Sequence, residues 1–290
     1  MANSESHKVG EFIGTFFELA MKGPIKEFCD KNKLYFDSYG YRKARGKDKI
    51  TWVDIKGSRH DLDYVIEEGG TEEKIGTPIA FIELAWRRYT KHSKNKVGEI
   101  QAAIDPICQK YSTVNPFKGA FLCGEFTKTS IDQFKKDGFS VVYIPFSTLV
   151  KVFKKHNVNI DYDEKTSETV FKKTYDNLQD IKIEHHDQLV AIANDLKKAC
   201  KKDIDAFIKK LTDHYLRKIK VIKILPLHGN LLEIDKLSDA IAIINKYDEK
   251  KKKSADFVKF EIYIEYNNGE EIKAEFFSKR NAIEFLNKFN

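Results

Sequence analysis

Asp61, Asp63 and Glu83 stand inside stretches that otherwise read as buried strands: "HDLDYVIEE" (60–68) and "PIAFIELAW" (78–86). Side chains alternate along a strand, so Asp61 and Asp63 share one face. Glu83, Ala85 and Arg87 share a face of the next strand. Paired as a hairpin, the two strands bring Asp63 beside Glu83. Two adjacent carboxylates repel each other and are costly to desolvate. A divalent cation offsets both costs. Mg²⁺ takes one or two carboxylates and completes its shell with waters and phosphate oxygens. It can also lower the pKa of a water and neutralise charge on a phosphoryl group.

The cations around these acids fit the same chemistry. Arg59 and His60 precede the first strand's acids. Arg87, Arg88, Lys91, His92, Lys94 and Lys96 follow Glu83. Each Lys or Arg that meets a phosphate releases condensed counterions and makes binding salt-dependent. A helix starting near Lys94 would add backbone donors at its N-terminus. The competing reading is a solvent face on which the three acids pair with nearby Arg or Lys.

The elements that must position these residues follow from periodicity and punctuation. Residues 6–31 read as helical, with "KGP" (22–24) marking a break before a second short helix. "ITWVDIK" (50–56), the 60–68 stretch and the 78–86 stretch read as a three-strand meander. A helix over 94–111 places Val97, Ile100, Ile104 and Ile107 on one face, and Pro106 predicts a kink or an early end. "GAFLCGEF" (119–126), a short helix over 129–138 and "FSVVYIPF" (139–146) form a parallel crossover. Residues 148–156 read as a helix and 157–167 as a polar linker.

Beyond that point the pattern changes. An apolar stripe over 187–215 reads as a long helix docked on the protein's own core, or as a dimer helix. Residues 217–290 read as a strand (219–227), a helix (236–247), a hairpin turning at "NNG" and a last helix. The fold class is therefore α/β: a mixed central sheet flanked by helices, with a helical and α+β C-terminal region. The expected division is 1–156, 157–216 and 217–290.

Bulk properties bound the classes. The 290 residues are 41% hydrophobic, enough for a sizeable core, and 33% charged, with a net charge of +7. This leans towards a polyanionic partner, and it equally suits a solvated, Lys-rich surface. Cys29, Cys108, Cys123 and Cys200 are widely separated and form no CxxC, so reduced thiols are expected. With no apolar leader and no run long enough to span a bilayer, a cytoplasmic protein is expected. Glycine-rich nucleotide loops are absent. His185–His186 lacks a second ligand pair at helical spacing. The Lys run "EKKKKS" reads as a solvated loop, and Trp86 as a core residue.

In the order of its elements, with an Asp in the second strand and a Glu in the third, the chain resembles the PD-(D/E)xK nuclease superfamily. Its size is most similar to that of the type II restriction endonucleases. The resemblance spans about residues 6–150 and implies a restriction endonuclease-like core. It also implies Mg²⁺ as cofactor, double-stranded DNA as substrate and a homodimer for cutting both strands. Asp63 matches the motif's first acid, with Asp61 as runner-up or auxiliary ligand, and Glu83 matches the second. Glu99 or Gln101 would be supporting polar residues. The sequence departs from the motif at Ala85, where the family carries lysine. Arg87, Lys94, Lys96 and Lys56 are the candidate replacements. Two other functions compete: a catalytically inactive DNA-binding relative, and a protein-interaction scaffold. A repair nuclease of the same fold is a further alternative.

Overall fold

The computed structural model describes residues 4–90, 93–163, 165–227, 231–250 and 257–289. It divides into two compact units, Met1–Lys110 with Pro116–Leu211, and Tyr111–Asn115 with Thr212–Asn290. The helices expected within 157–216 thus fall largely in the first unit. Among the described residues no helix is long and apolar enough to cross a membrane.

The first unit is a mixed α/β layer structure. It opens with α1 (Glu5–Asn32), capped by the Ser4 side chain and closed by Lys33 in the left-handed region. The break expected at "KGP" does not occur. Pro24 lies inside this one continuous helix, where buried Met21, Ile25 and Phe28 pack on either side of it. That packing outweighs the single backbone hydrogen bond a proline removes. The central sheet has the order β1-β4-β5-β6-β7. Its strands are β1 (Tyr35–Ser38), β4 (Tyr64–Glu68), β5 (Thr77–Arg87), β6 (Phe117–Gly124) and β7 (Ser140–Pro145). The β1, β4 and β5 neighbours are antiparallel, whereas β5, β6 and β7 run parallel. The crossover expected between the last two strands is present, through α3 (Lys128–Lys136). Residues 78–85 of β5 are all buried, as a central strand covered on both faces requires.

The expected three-strand meander is replaced by a different arrangement. β2 (Ile50–Val53) and β3 (Arg59–Leu62) form a separate two-stranded ribbon. The reason is the edge strand β1, which the sequence reading missed. It occupies the place beside β4 that a meander would give to β2. The 60–68 strand is consequently interrupted, and Asp63 is the single residue between β3 and β4.

The Pro106 kink or early end does not appear as a boundary, since α2 runs Ser93–Lys110 with Pro106 inside it. α4 (Phe146–Lys155) follows β7. Next comes α5 (Glu168–Ile183), also missed, which packs on α1. The 187–215 stripe forms two helices, α6 (His186–Ala199) and α7 (Lys201–Tyr215), separated at Cys200. Its apolar residues dock on the chain's own core, with the Phe207 ring 4.7 Å from Phe121. Cys29, Cys108, Cys123 and Cys200 are all free thiols.

The second unit pairs four strands in the order β11-β10-β8-β9. They are β8 (Ile219–Pro226), β9 (Leu232–Ile234), β10 (Phe260–Tyr266) and β11 (Glu271–Phe276), with α8 (Leu237–Lys246) and α9 (Lys279–Asn287). Ile222, Ile224, Phe260, Ile262 and Ile264 alternate into its core. Gly269, at φ +86°, makes the expected hairpin turn. The acids between them on β10 pair with nearby lysines, Glu265 with Lys220 at 2.8 Å and Glu261 with Lys259 at 2.9 Å. Most of the Lys run lies outside the described residues.

Candidate active site

The break at Asp63 and the register of β4 on β5 set the site. Tyr64 lies opposite Ile82, which leaves Asp63 next to Glu83. Each carboxylate accepts a hydrogen bond from a backbone amide of the other segment. The Asp63 N–H donates to Glu83 Oε1 at 3.2 Å, and the Leu84 N–H donates to Asp63 Oδ2 at 2.7 Å. A ladder hydrogen bond is thus replaced by a carboxylate on each strand, which fixes both acids without a cation. Among the described residues, neither acid has a Lys, Arg or His within ion-pair distance.

Both acids line a cavity of about 890 Å³, together with Glu18, Asp61, Arg87 and Lys96. Glu83 is only 8% exposed. Burial, followed by repulsion from Asp63, raises its pKa to about 8 against the opposing pull of the Asp63 amide and Lys96. Burial likewise raises Asp63, opposed by the Leu84 amide and by Lys96.

Glu18, on α1, is a further acid of the cavity and was missed in the sequence. Burial and then the charge of Asp63 raise its pKa to about 7. The Tyr64 hydroxyl donates to the Glu18 carbonyl oxygen and so ties α1 to β4 at this point. A signal for Glu18 was present. His7, Gly10, Gly14 and Glu18 recur at steps of three and four and all line the cavity, on a helix that also carries a buried apolar stripe.

The candidate cations separate clearly. Lys96, near the start of α2, lines the cavity and acts electrostatically on both Asp63 and Glu83, while standing 3.6 Å from Glu99 Oε2. Arg87 lines the cavity, and its Nη1 donates to the Trp86 carbonyl at 2.9 Å. Gly124 packs against Arg87; a Cβ there would lie 2.0 Å from the Arg87 carbonyl oxygen. Lys56 is on the tip of the β2–β3 ribbon and is not among the cavity's lining residues. Lys91, His92 and the Lys94 side chain lie outside the described residues. Ala85, at the motif-lysine position, is 1% exposed.

Four of the expected site residues take other roles. Asp61 lines the cavity, but its Oδ2 accepts from Lys49 Nζ at 2.8 Å and its Oδ1 from Thr51 Oγ1 at 2.6 Å. Lys49 and then Thr51 hold its pKa below the usual carboxylate value. Arg88 stacks 3.9 Å from the Phe146 ring centroid and donates to the Tyr162 carbonyl oxygen, so it anchors the segment before α5. His60 Nε2 bonds Asp54 Oδ2 at 2.9 Å, and Arg59 is exposed on β3. Gln101 bonds Asp137 and joins α2 to α3. Trp86 is half-buried, 5.7 Å from the Phe146 ring.

Among the described residues no group of three or more His, Cys, Asp or Glu is arranged to hold a metal. The Asp63–Glu83 pair nonetheless fits Mg²⁺ by donor chemistry, since that ion needs only one or two carboxylates from the protein. Glu83 is buried and Asp63 half-buried, the two repel each other, and among the described residues no cation lies within ion-pair distance of either, so an ion would offset an existing cost. No protein-family model, curated protein or solved structure matches the chain.

Proposed function

We propose that the protein is a Mg²⁺-dependent endodeoxyribonuclease of restriction type, acting on double-stranded DNA as a homodimer. The observation that carries this reading is the Asp63–Glu83 pair, held by backbone amides in the wall of a cavity, with no Lys, Arg or His within ion-pair distance among the described residues. In this reading Asp63 and Glu83 would hold the ion, which would supply charge neutralisation at a phosphoryl group and a water of lowered pKa. Lys96 takes the place of the motif lysine and directs its ammonium at the developing negative charge. Glu18 can hold or release a proton near neutrality. Asp63 and Glu83 are fixed by backbone bonds, so they are preorganised for an in-line displacement rather than recruited to it. Two-fold symmetry of the homodimer would present one such site to each strand of a palindrome.

The second reading is an inactive DNA-binding relative, favoured by Ala85. Digestion of a long unmethylated phage DNA with Mg²⁺, beside a Glu83→Ala control, decides between them. Discrete bands missing from the control support the restriction reading. A smear keeps the nuclease and rejects the restriction type. DNA retention without cutting selects the inactive relative.

A further inference from the structure

We infer that the β2–β3 ribbon is the element that enters a groove of duplex DNA and leads the backbone to the acid pair. The inference rests on the nuclease reading for its substrate.

Three observations carry it. First, the ribbon stands apart from the central sheet and continues into Asp63 with no linker. Its inner residues, Ile50, Trp52 and Leu62, are buried, and the Trp52 ring is 5.4 Å from that of Phe81. Its outer face carries Thr51, Val53, Arg59 and Asp61, with Asp61 at the cavity rim. Arg59 and Asp63 are four residues apart, about 13 Å along an extended strand. That corresponds to about four base pairs of rise.

Second, the charge is uneven along the ribbon. Lys49 is neutralised by Asp61. Lys56 and Arg59 have no acid within ion-pair distance among the described residues, and Lys47 bonds only Thr51 Oγ1. A polyanion meets these cations without breaking an existing pair.

Third, the tip is rigid and amphipathic. Asp54 is 4% exposed and accepts from the amides of Lys56 and Ser58, at 2.8 and 2.9 Å, and from His60. Gly57 turns at φ +88°. The Ile55 amide donates to the Pro106 carbonyl at 3.3 Å. This scaffold holds Ile55 outward at 56% exposure. An apolar side chain at a cationic tip suits base edges, such as a thymine methyl, rather than phosphates. The major groove is wide enough for a two-stranded ribbon.

The test is fluorescence anisotropy with the full chain and a labelled duplex in EDTA, titrated over KCl. Circular dichroism melts check that each variant is folded. Lys56→Ala/Arg59→Ala is expected to bind about ten-fold or more weakly and to flatten the log–log salt slope by about two. Ile55→Ala is expected to weaken binding with the slope unchanged. Wild-type affinity and slope in the double variant would overturn the inference. So would no duplex binding by the wild type at about 50 mM salt, or equal ribbon-dependent binding of single-stranded DNA or RNA. A cleavage arm separates the two readings. Ribbon-dependent duplex binding without cutting by the wild type sinks the nuclease alone. Cutting that survives Lys56→Ala/Arg59→Ala but not Glu83→Ala sinks the ribbon alone.

Discussion

The same strand, β4, meets two buried acid clusters, one at each end. At its C-terminal end Glu67 is fully buried and Asp37 nearly so. Arg42 bridges them, reaching Glu67 through Nη1 at 2.7 Å and Nη2 at 3.0 Å and Asp37 at 2.8 Å. Arg45 adds a bond to Asp37 at 3.0 Å, and the Gly76 amide donates to Glu67 at 2.7 Å. Burial opposes the Arg42 charge, yet its bonds to Glu67 and Asp37 outweigh that and hold the guanidinium above its ordinary pKa. At the N-terminal end Asp63 and Glu83 have backbone amides and a cavity, and among the described residues no guanidinium forms an ion pair with either. The first cluster is complete and closes the loop over 69–76. The second has no such bridge among the described residues, and its acids are held by backbone amides in the wall of a cavity.

That contrast can be broken by mutation, and the effects should differ in kind. The largest is on activity. Glu83→Ala or Asp63→Ala should abolish cleavage while the melting temperature holds or rises, since a costly buried acid is removed. A Glu83→Ala protein that cuts at the wild-type rate would end the site assignment. Arg42→Ala should do the reverse, leaving two buried acids uncompensated at a cost of about 3–5 kcal/mol in denaturant unfolding. Unchanged stability in that variant would show that the two clusters are not different in nature.

Lys96→Met should rank next, with a loss of about 10²-fold in cleavage rate. Without the cation, the pKa of Glu83 should move higher still, so the pH–rate profile should shift to the alkaline side. An unshifted profile would return the role to Arg87 or Lys94.

A smaller effect concerns pH and stability without metal. Glu83 and Glu18 have folded-state values of about 8 and about 7, above those of the unfolded chain. Between the unfolded and folded values the native state binds more protons, so stability falls as pH rises. Metal-free protein should therefore lose stability from about pH 5 to pH 8, and Glu83→Gln should flatten that slope. Thermal melts across this range read it directly; a wild-type slope in Glu83→Gln would remove Glu83 from the account. The smallest effect belongs to Lys49→Ala. Its pair with Asp61 is solvent-exposed, so the change in stability should be within about 1 kcal/mol.

Local pattern was legible where local forces decide. The apolar runs of β5, β6 and β7, the crossover between the last two, and the turn at Gly269 all follow from periodicity and backbone freedom. So does the adjacency of Asp63 and Glu83, because strand pairing brings neighbours into register. The meander failed for a non-local reason. β1 is only four residues long, and nothing within it announces that it will displace β2 from the edge of β4. α5 was missed because its buried residues, Phe171, Leu178 and Ile181, are too sparse to make a continuous stripe.

The sequence by itself determined the types of the central elements and the pair of acids that share a sheet. Only the tertiary structure decided which groups surround that pair. Glu18 reaches it across 45 residues of chain, and of the candidate cations Lys96 and Arg87 line the same cavity whereas Lys56 does not. The same structure drew Asp61 to Lys49 and Arg88 to an aromatic cage. Secondary structure follows from periodicities of two and 3.6 residues, which a sequence displays openly. The electrostatics of a buried site depend on distances between elements, and those exist only once the helices and sheet have packed.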